Sequence, residues 1–307
     1  MIPTTRRRFL AASTAAALPL GVAAAGRPLR FGGPVFLKSE DPAELAREHR
    51  RLGYSAAYCP NAKPGDTVRA REIEKAFAAQ NVVIAEVGAW RNMLDPDAQK
   101  RRDNIRYVTE RLALAEAVGA RCCVDIAGSF NPEVWYGPHP KNLSKEFFDA
   151  TVENARRLID EVKPRRTKFT LEIMGWALPD GPDSYVGLIR AIDRKAFAVH
   201  LDVCNGINSP ARFYGNAAFI DECFRKLGPW IASCHAKDLE WKPEMNVHFI
   251  EVVPGRGSVD YRPYLHGLAK LPVDAPLMLE HLKTAEEYTE GAAFIRKVAA
   301  SEGLAFA

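Results

Sequence analysis

With 307 residues, 47% of them hydrophobic and 26% charged, the chain can bury a large core. A formal net charge of +4 builds no strong basic field, so neither a nucleic acid nor a membrane surface is expected as a partner. The six cysteines (Cys59, Cys122, Cys123, Cys204, Cys223 and Cys234) show no CxxC or zinc-finger spacing and read as small core residues rather than a disulfide framework.

In chain order, Thr5-Arg6-Arg7-Arg8-Phe9-Leu10 comes first and has the pattern of a twin-arginine export signal. An Ala-rich stretch follows, with a small-residue cleavage site at Ala23, Ala24 and Ala25. Pro19 breaks the apolar run, which makes it a poor membrane span. The expectation is removal of residues 1–25, delivery of the folded protein to the periplasm, and no stable membrane insertion after processing. About 282 residues, 26–307, remain for one catalytic domain.

From there, short apolar runs alternate with amphipathic segments. Strands are predicted over 30–36, 55–60, 82–89, 122–127, 169–174, 197–203, 231–236 and 276–282. Their nearly continuous apolar character suits parallel strands covered by helices. Helices are predicted over 41–53, 97–120, 144–162, 260–271 and 285–300, with Ser144 and Asp260 as N-caps and Gly53 and Gly119 at C-terminal ends. Eight strand–helix units point to an α/β fold, a single (β/α)8 TIM barrel; an open doubly wound sheet is the alternative. The stretch Gly255-Arg256-Gly257 lacks the rest of any phosphate-loop fingerprint. The loop over 129–142 carries aromatics and prolines and follows the fourth strand, where it could cover a substrate.

In such a barrel the chemistry sits at the C-terminal ends of the strands. FTLEIMGW ends with Glu172 near its tip, AVHLDVCN with Asp202, IASCHAKD with His235 and PLMLEHL with Glu280. Their separations of 30, 33 and 45 residues are about one unit each, the last lengthened by the loop around 241–258. Strands about 4.8 Å apart then aim four ligand-type side chains at one centre. Three carboxylates and an imidazole suit one divalent ion: Mn²⁺, Mg²⁺ or Co²⁺, with Zn²⁺ admissible. Lys237, two residues past His235, falls on the same side of its strand and could bind a substrate hydroxyl or steady a developing oxyanion. Asp238 is expected to end the strand or orient Lys237. His200, one layer below Asp202, is expected to support the site or fill the core. Core packing is the default for Trp176, Trp90 and Glu86, although Trp176 is also placed to lie against a sugar ring.

The stretches LEIMG, HLDVCN, CHAKD, EVVPGRGSVDY and LMLEH, on eight such units, resemble the xylose-isomerase-like TIM-barrel sugar isomerases and epimerases. The resemblance implies that Glu172, Asp202, His235 and Glu280 bind one divalent metal, and that Glu172 and Glu280 are the catalytic acid/base pair on opposite faces of a small carbohydrate. It also admits a homo-oligomer. Two positions depart from the family: Asn205 stands where ketose 3-epimerases commonly carry His, and Arg256 stands where an acidic residue is usual. Both fall where substrate is gripped, so Asn205 and Arg256 join Lys237 and Trp176 as substrate-binding candidates. The leading expectation is a sugar isomerase or epimerase working through an enediolate. A lyase or hydratase on keto-sugars or 3-keto-glycosides, a phosphodiester hydrolase and a non-catalytic sugar-binding protein are the alternatives.

Overall fold

The computed structural model describes residues 27–307, so the expected export signal over 1–25 lies outside the described residues. Eight parallel strands close into a barrel: β1 (Phe31–Gly32), β2 (Ala56–Tyr58), β3 (Val83–Gly88), β4 (Cys122–Asp125), β5 (Lys168–Glu172), β6 (Phe197–Leu201), β7 (Ile231–Ala236) and a last strand over Leu277–Leu279. Between β7 and that last strand, β8 (Asp238–Trp241) and β9 (Phe249–Val252) form a separate antiparallel hairpin, so the last barrel strand is β10. This hairpin replaces the irregular loop expected around 241–258. The helices are α1 (Pro42–Arg51), α2 (Thr67–Ala79), α3 (Ala98–Val118), α4 (Lys145–Val162), α5 (Pro182–Ile192), α6 (Val203–Gly206), α7 (Pro210–Tyr214), α8 (Asn216–Leu227), α9 (Tyr261–Ala269) and α10 (Ala285–Ser301).

Local chemistry sets the boundaries. Asp41, Asp97, Ser144, Asp260 and Thr284 each accept a backbone N–H at the start of a helix, satisfying donors that the first turn leaves unpaired. Gly119 ends α3 at φ 68°, a conformation that costs a residue with a side chain about 1 kcal/mol or more. The barrel closes where Gly32 meets both neighbours: a Cβ there would lie 2.8 Å from Met278 Sδ and would collide with the carbonyl of Ala56. β1 is shorter than the expected 30–36 strand because pairing stops at this contact.

Strand alternation sorts the side chains. Phe169, Leu171, Phe197, Val199, Leu201, Leu277 and Leu279 pack outward into the core shared with the helices. The small residues Ala56, Ala85, Cys122, Val124, Ala198 and Ala232 gather with Met278 in strand-only clusters that fill the barrel. Two register shifts interrupt the alternation, between Ala57 and Tyr58 opposite β3 and between Val199 and His200 opposite β7. The six cysteines are free thiols, five of them buried. Among the described residues no helix is long and apolar enough to cross a membrane.

Candidate metal centre

The inward positions at the C-terminal ends of β5, β6, β7 and β10 carry Glu172, Asp202, His235 and Glu280. One ligand-type atom from each lies within 4.8 Å of all the others. His235 Nδ1 stands 3.1 Å from Glu172 Oε1, 3.5 Å from Asp202 Oδ2 and 3.0 Å from Glu280 Oε2. Asp202 also shapes the backbone that follows it, because its Oδ1 caps the short helix α6 by accepting the Asn205 N–H at 3.1 Å. That cap swings the Asn205 amide back over the site, where Nδ2 donates to Glu172 Oε1 at 3.0 Å.

Tyrosines from the outer helices pin the strand ends. Tyr264 of α9 places its hydroxyl 2.7 Å from the His235 carbonyl and 3.1 Å from that of Leu201, next to Asp202. Tyr261 donates to the Lys237 carbonyl at 2.8 Å, and Tyr185 of α5 reaches the Leu171 carbonyl at 2.6 Å, next to Glu172. All three tyrosines are buried, so each bond also satisfies a hydroxyl that could not otherwise find water.

Lys237 lies on the same side of its strand as His235. Its Nζ is 2.8 Å from Asp202 Oδ2, 2.9 Å from Glu280 Oε2 and 3.5 Å from Glu251 Oε1. Burial opposes the charge on Lys237 and on His235, yet the surrounding carboxylates hold both pKa values well above their ordinary ranges. Burial pushes the Glu172 carboxyl up. It pushes the same way at Glu280 and Asp202 but is outweighed there, at Glu280 by His235 and Lys237 and at Asp202 chiefly by Lys237, so both carboxyls are held down. The donor set fits a divalent cation on two grounds. Asp202 Oδ2 and Glu280 Oε2 are buried and accept no well-formed hydrogen bond despite the nearby ammonium. Three converging carboxylates with one imidazole also match the oxygen-rich chemistry of Mn²⁺, Mg²⁺ or Co²⁺.

A cavity of about 480 Å³ opens over the centre, lined by Glu172, Asn205, Lys237, Glu251, Glu280 and His281 on its polar side. Its apolar wall is Trp90, Ile126, Met174, Trp135 and Tyr136, of which Trp135 and Tyr136 come from the long loop after β4. Trp176 does not line this cavity; its side chain is 64% exposed and its carbonyl accepts from Asn142. Trp90 packs against the Cys122, Val124, Ala198 and Ala232 cluster, as expected of a core residue, and also lines the cavity, because Gly88 lets the indole fold back over β3. Arg256 lines a neighbouring cavity of about 380 Å³ and is held by Glu290 through two bonds, at 2.8 and 2.6 Å. Asp238 does not orient Lys237. It accepts the backbone N–H groups of Leu239, Gly255, Gly257 and Val259 and so anchors the glycine-rich loop.

Two polar residues at the cavity were not singled out in the sequence. Glu251 sits on β9 and accepts His281 Nδ1 at 2.9 Å, while His281 holds a left-handed backbone (φ 60°) directly after Glu280. The signal for Glu251 was its place in a strand-like FIEV, which was read instead as loop.

Comparison with known proteins places these residues in context. Residues 45–298 match a family model described as xylose isomerase-like TIM barrel. A xylose isomerase-like TIM barrel protein from Mycobacterium smegmatis, solved in complex with magnesium, superposes with a TM-score of 0.62 at 19% identity, covering 91% of this chain and 98% of that one. Endonuclease IV from Thermus thermophilus gives 0.65 at 16% identity (89% and 100% covered). The 3-keto-D-glucoside 4-epimerase of E. coli gives 0.62 at 13% identity (88% and 99%). No curated protein matches the sequence.

Proposed function

The chain belongs to the xylose isomerase-like TIM barrel family, and we propose that it is a divalent-metal-dependent sugar isomerase or epimerase that removes a proton from carbon next to a carbonyl. The observation that carries this reading is the convergence of Glu172, Asp202, Glu280 and His235 Nδ1 within 4.8 Å, at the floor of a cavity with an aromatic wall. A cation held by these four residues supplies Lewis-acid stabilisation to the oxygens of an α-hydroxy carbonyl, a contribution of several kcal/mol.

The chain's own groups do the rest. Glu172, steadied by the Asn205 amide, abstracts the proton, a general-base contribution of about 10²–10⁴ in rate. Glu280, reaching the centre from the other end of the ligand arc, returns it. Lys237 offers an ammonium to the enediolate oxygen, where charge develops. Trp90, Trp135 and Tyr136 present apolar surface to the C–H faces of a sugar and keep water from the carbanion. On the strength of the twin-arginine pattern alone, we assign this reaction to the periplasm. The likeness to endonuclease IV concerns the barrel, and the acidic centre suits a neutral sugar better than a phosphodiester backbone.

Glu172→Gln keeps the size of the side chain and removes the base. The expected result is a folded protein that still binds sugar and loses turnover by at least about 10²-fold. Unchanged turnover would remove Glu172 from the role of base. Full activity in the presence of a strong chelator would remove the metal from the mechanism.

A further inference from the structure

Below the metal centre lies a buried polar group that the reaction above does not use. Glu86 on β3 is 1% exposed, and each of its oxygens faces one imidazole: Oε2 is 2.7 Å from His200 Nε2 and Oε1 is 3.2 Å from His235 Nε2. His200 and His235 are fully buried, with ring centroids 4.1 Å apart and an interplanar angle of 69°. His200 has no other polar tie, since its Nδ1 is without a hydrogen-bond partner. We infer that Glu86 is a positioning residue, steadied by His200, that locks His235 with its proton on Nε2 so that the Nδ1 lone pair faces the cation site. This rests on the metal reading of Glu172, Asp202, His235 and Glu280.

A carboxylate only accepts hydrogen bonds, so the nitrogen facing Glu86 must carry a proton. His200 and His235 each present a ring nitrogen to one of the Glu86 oxygens, and these two contacts hold Glu86 in that accepting role. The far nitrogen of His235, Nδ1, then faces Glu172, Asp202 and Glu280, where a bound cation would take its lone pair in place of a proton shared with those carboxylates. An anion behind the imidazole also makes that lone pair more basic.

The backbone is shaped for this. Tyr58 pairs with Glu86 where regular register would bring Ala85, and the shift at that point turns Glu86 inward while Ile84 and Val87 stay in the outer core. The surrounding layer of Ala56, Ala85 and Met278 is apolar. A hydrocarbon side chain at position 86 would suit stability better than a buried charge, so the carboxylate answers to the site above it.

The whole mature protein is used to test this. Mn²⁺ is titrated calorimetrically into the wild type and Glu86→Gln, with circular dichroism to verify that both are folded, and the ¹⁵N spectrum of histidine-labelled, Zn²⁺-loaded wild type is recorded. Expected are Mn²⁺ binding weakened about 10–100-fold in Glu86→Gln and a His235 ring with Nε2 protonated and Nδ1 shifted by the metal. Equal Mn²⁺ affinity in the two proteins would overturn the role of Glu86 and leave the metal site standing. Metal bound through His235 Nε2 would overturn it too, and needs no variant to fold. A wild type that binds neither ion would overturn the metal reading itself, and this inference with it.

Discussion

At the level of single residues, the charged side chains inside this barrel have identifiable partners, and replacing them has a definite direction. Asp238 Oδ1 accepts Leu239 and Val259 at 2.8 and 2.9 Å, and Oδ2 accepts Gly255 and Gly257 at 2.8 and 3.1 Å. In Asp238→Asn one of those oxygens becomes an NH₂ facing two N–H donors, so a loss of about 2–4 kcal/mol is expected in urea unfolding. Glu86 makes a prediction about pH. Its folded pKa of about 2 lies below the ordinary 4.5, so its ionisation stabilises the fold above pH 4.5 and that contribution is lost as pH falls toward 2. Unfolding measured at stepped pH should show a steeper slope over that window in the wild type than in Glu86→Gln, where only Asp202, Glu280 and the other depressed carboxylates remain. The four candidate ligands were legible from their strand-end positions and spacing. Of the support beneath them His200 was legible, one layer below Asp202, but Glu86 was not, because strict alternation puts it on the outer face with Ile84, and a register shift that reverses it leaves no mark in one sequence.

Elements, rather than residues, explain why the centre holds its shape. The site is gripped from outside by α5 and α9, whose tyrosines bond the carbonyls at the ends of β5, β6 and β7. Tyr264→Phe removes the hydroxyl shared by the His235 and Leu201 carbonyls. It is expected to cost about 1–3 kcal/mol and to weaken Mn²⁺ binding while leaving all four candidate ligands in place. Thermal unfolding and the same titration check both halves. Caps made the helices readable: Ser144 and Asp260 begin α4 and α9 where their side chains promised. The β8–β9 hairpin was not readable, since Trp241 and Phe249 bound a stretch of Lys, Pro, Glu and Asn that looks like surface loop. That hairpin delivers Glu251 to the cavity, and with it the carboxylate that holds His281.

For the whole molecule, the closed eight-stranded barrel follows from eight apolar runs at regular intervals, the part of the sequence with the most redundancy. The choice of cavity wall has no such redundancy: whether Trp90 or Trp176 faces the cavity depends on two loop conformations, one with a left-handed Trp90 (φ 40°). Because a cation would bridge four of the eight strands, it should stabilise the entire barrel. A hundredfold excess of Mn²⁺ over its Kd corresponds to about 2.7 kcal/mol and a rise in Tm on the order of 5 °C or more.

The reaction proposed for this site turns on whether its residues move a proton on carbon next to a carbonyl. That is read most directly by incubating the Mn²⁺-loaded protein in D₂O with a panel of ketoses and 3-keto-glycosides and following the products by NMR. Deuterium is expected at a carbon adjacent to the carbonyl, with the sugar skeleton intact, and none with Glu172→Gln. Loss of water or of an aglycone would contradict the isomerase or epimerase outcome and assign the same site to elimination. Tight metal binding with no exchange on any sugar would contradict catalysis altogether.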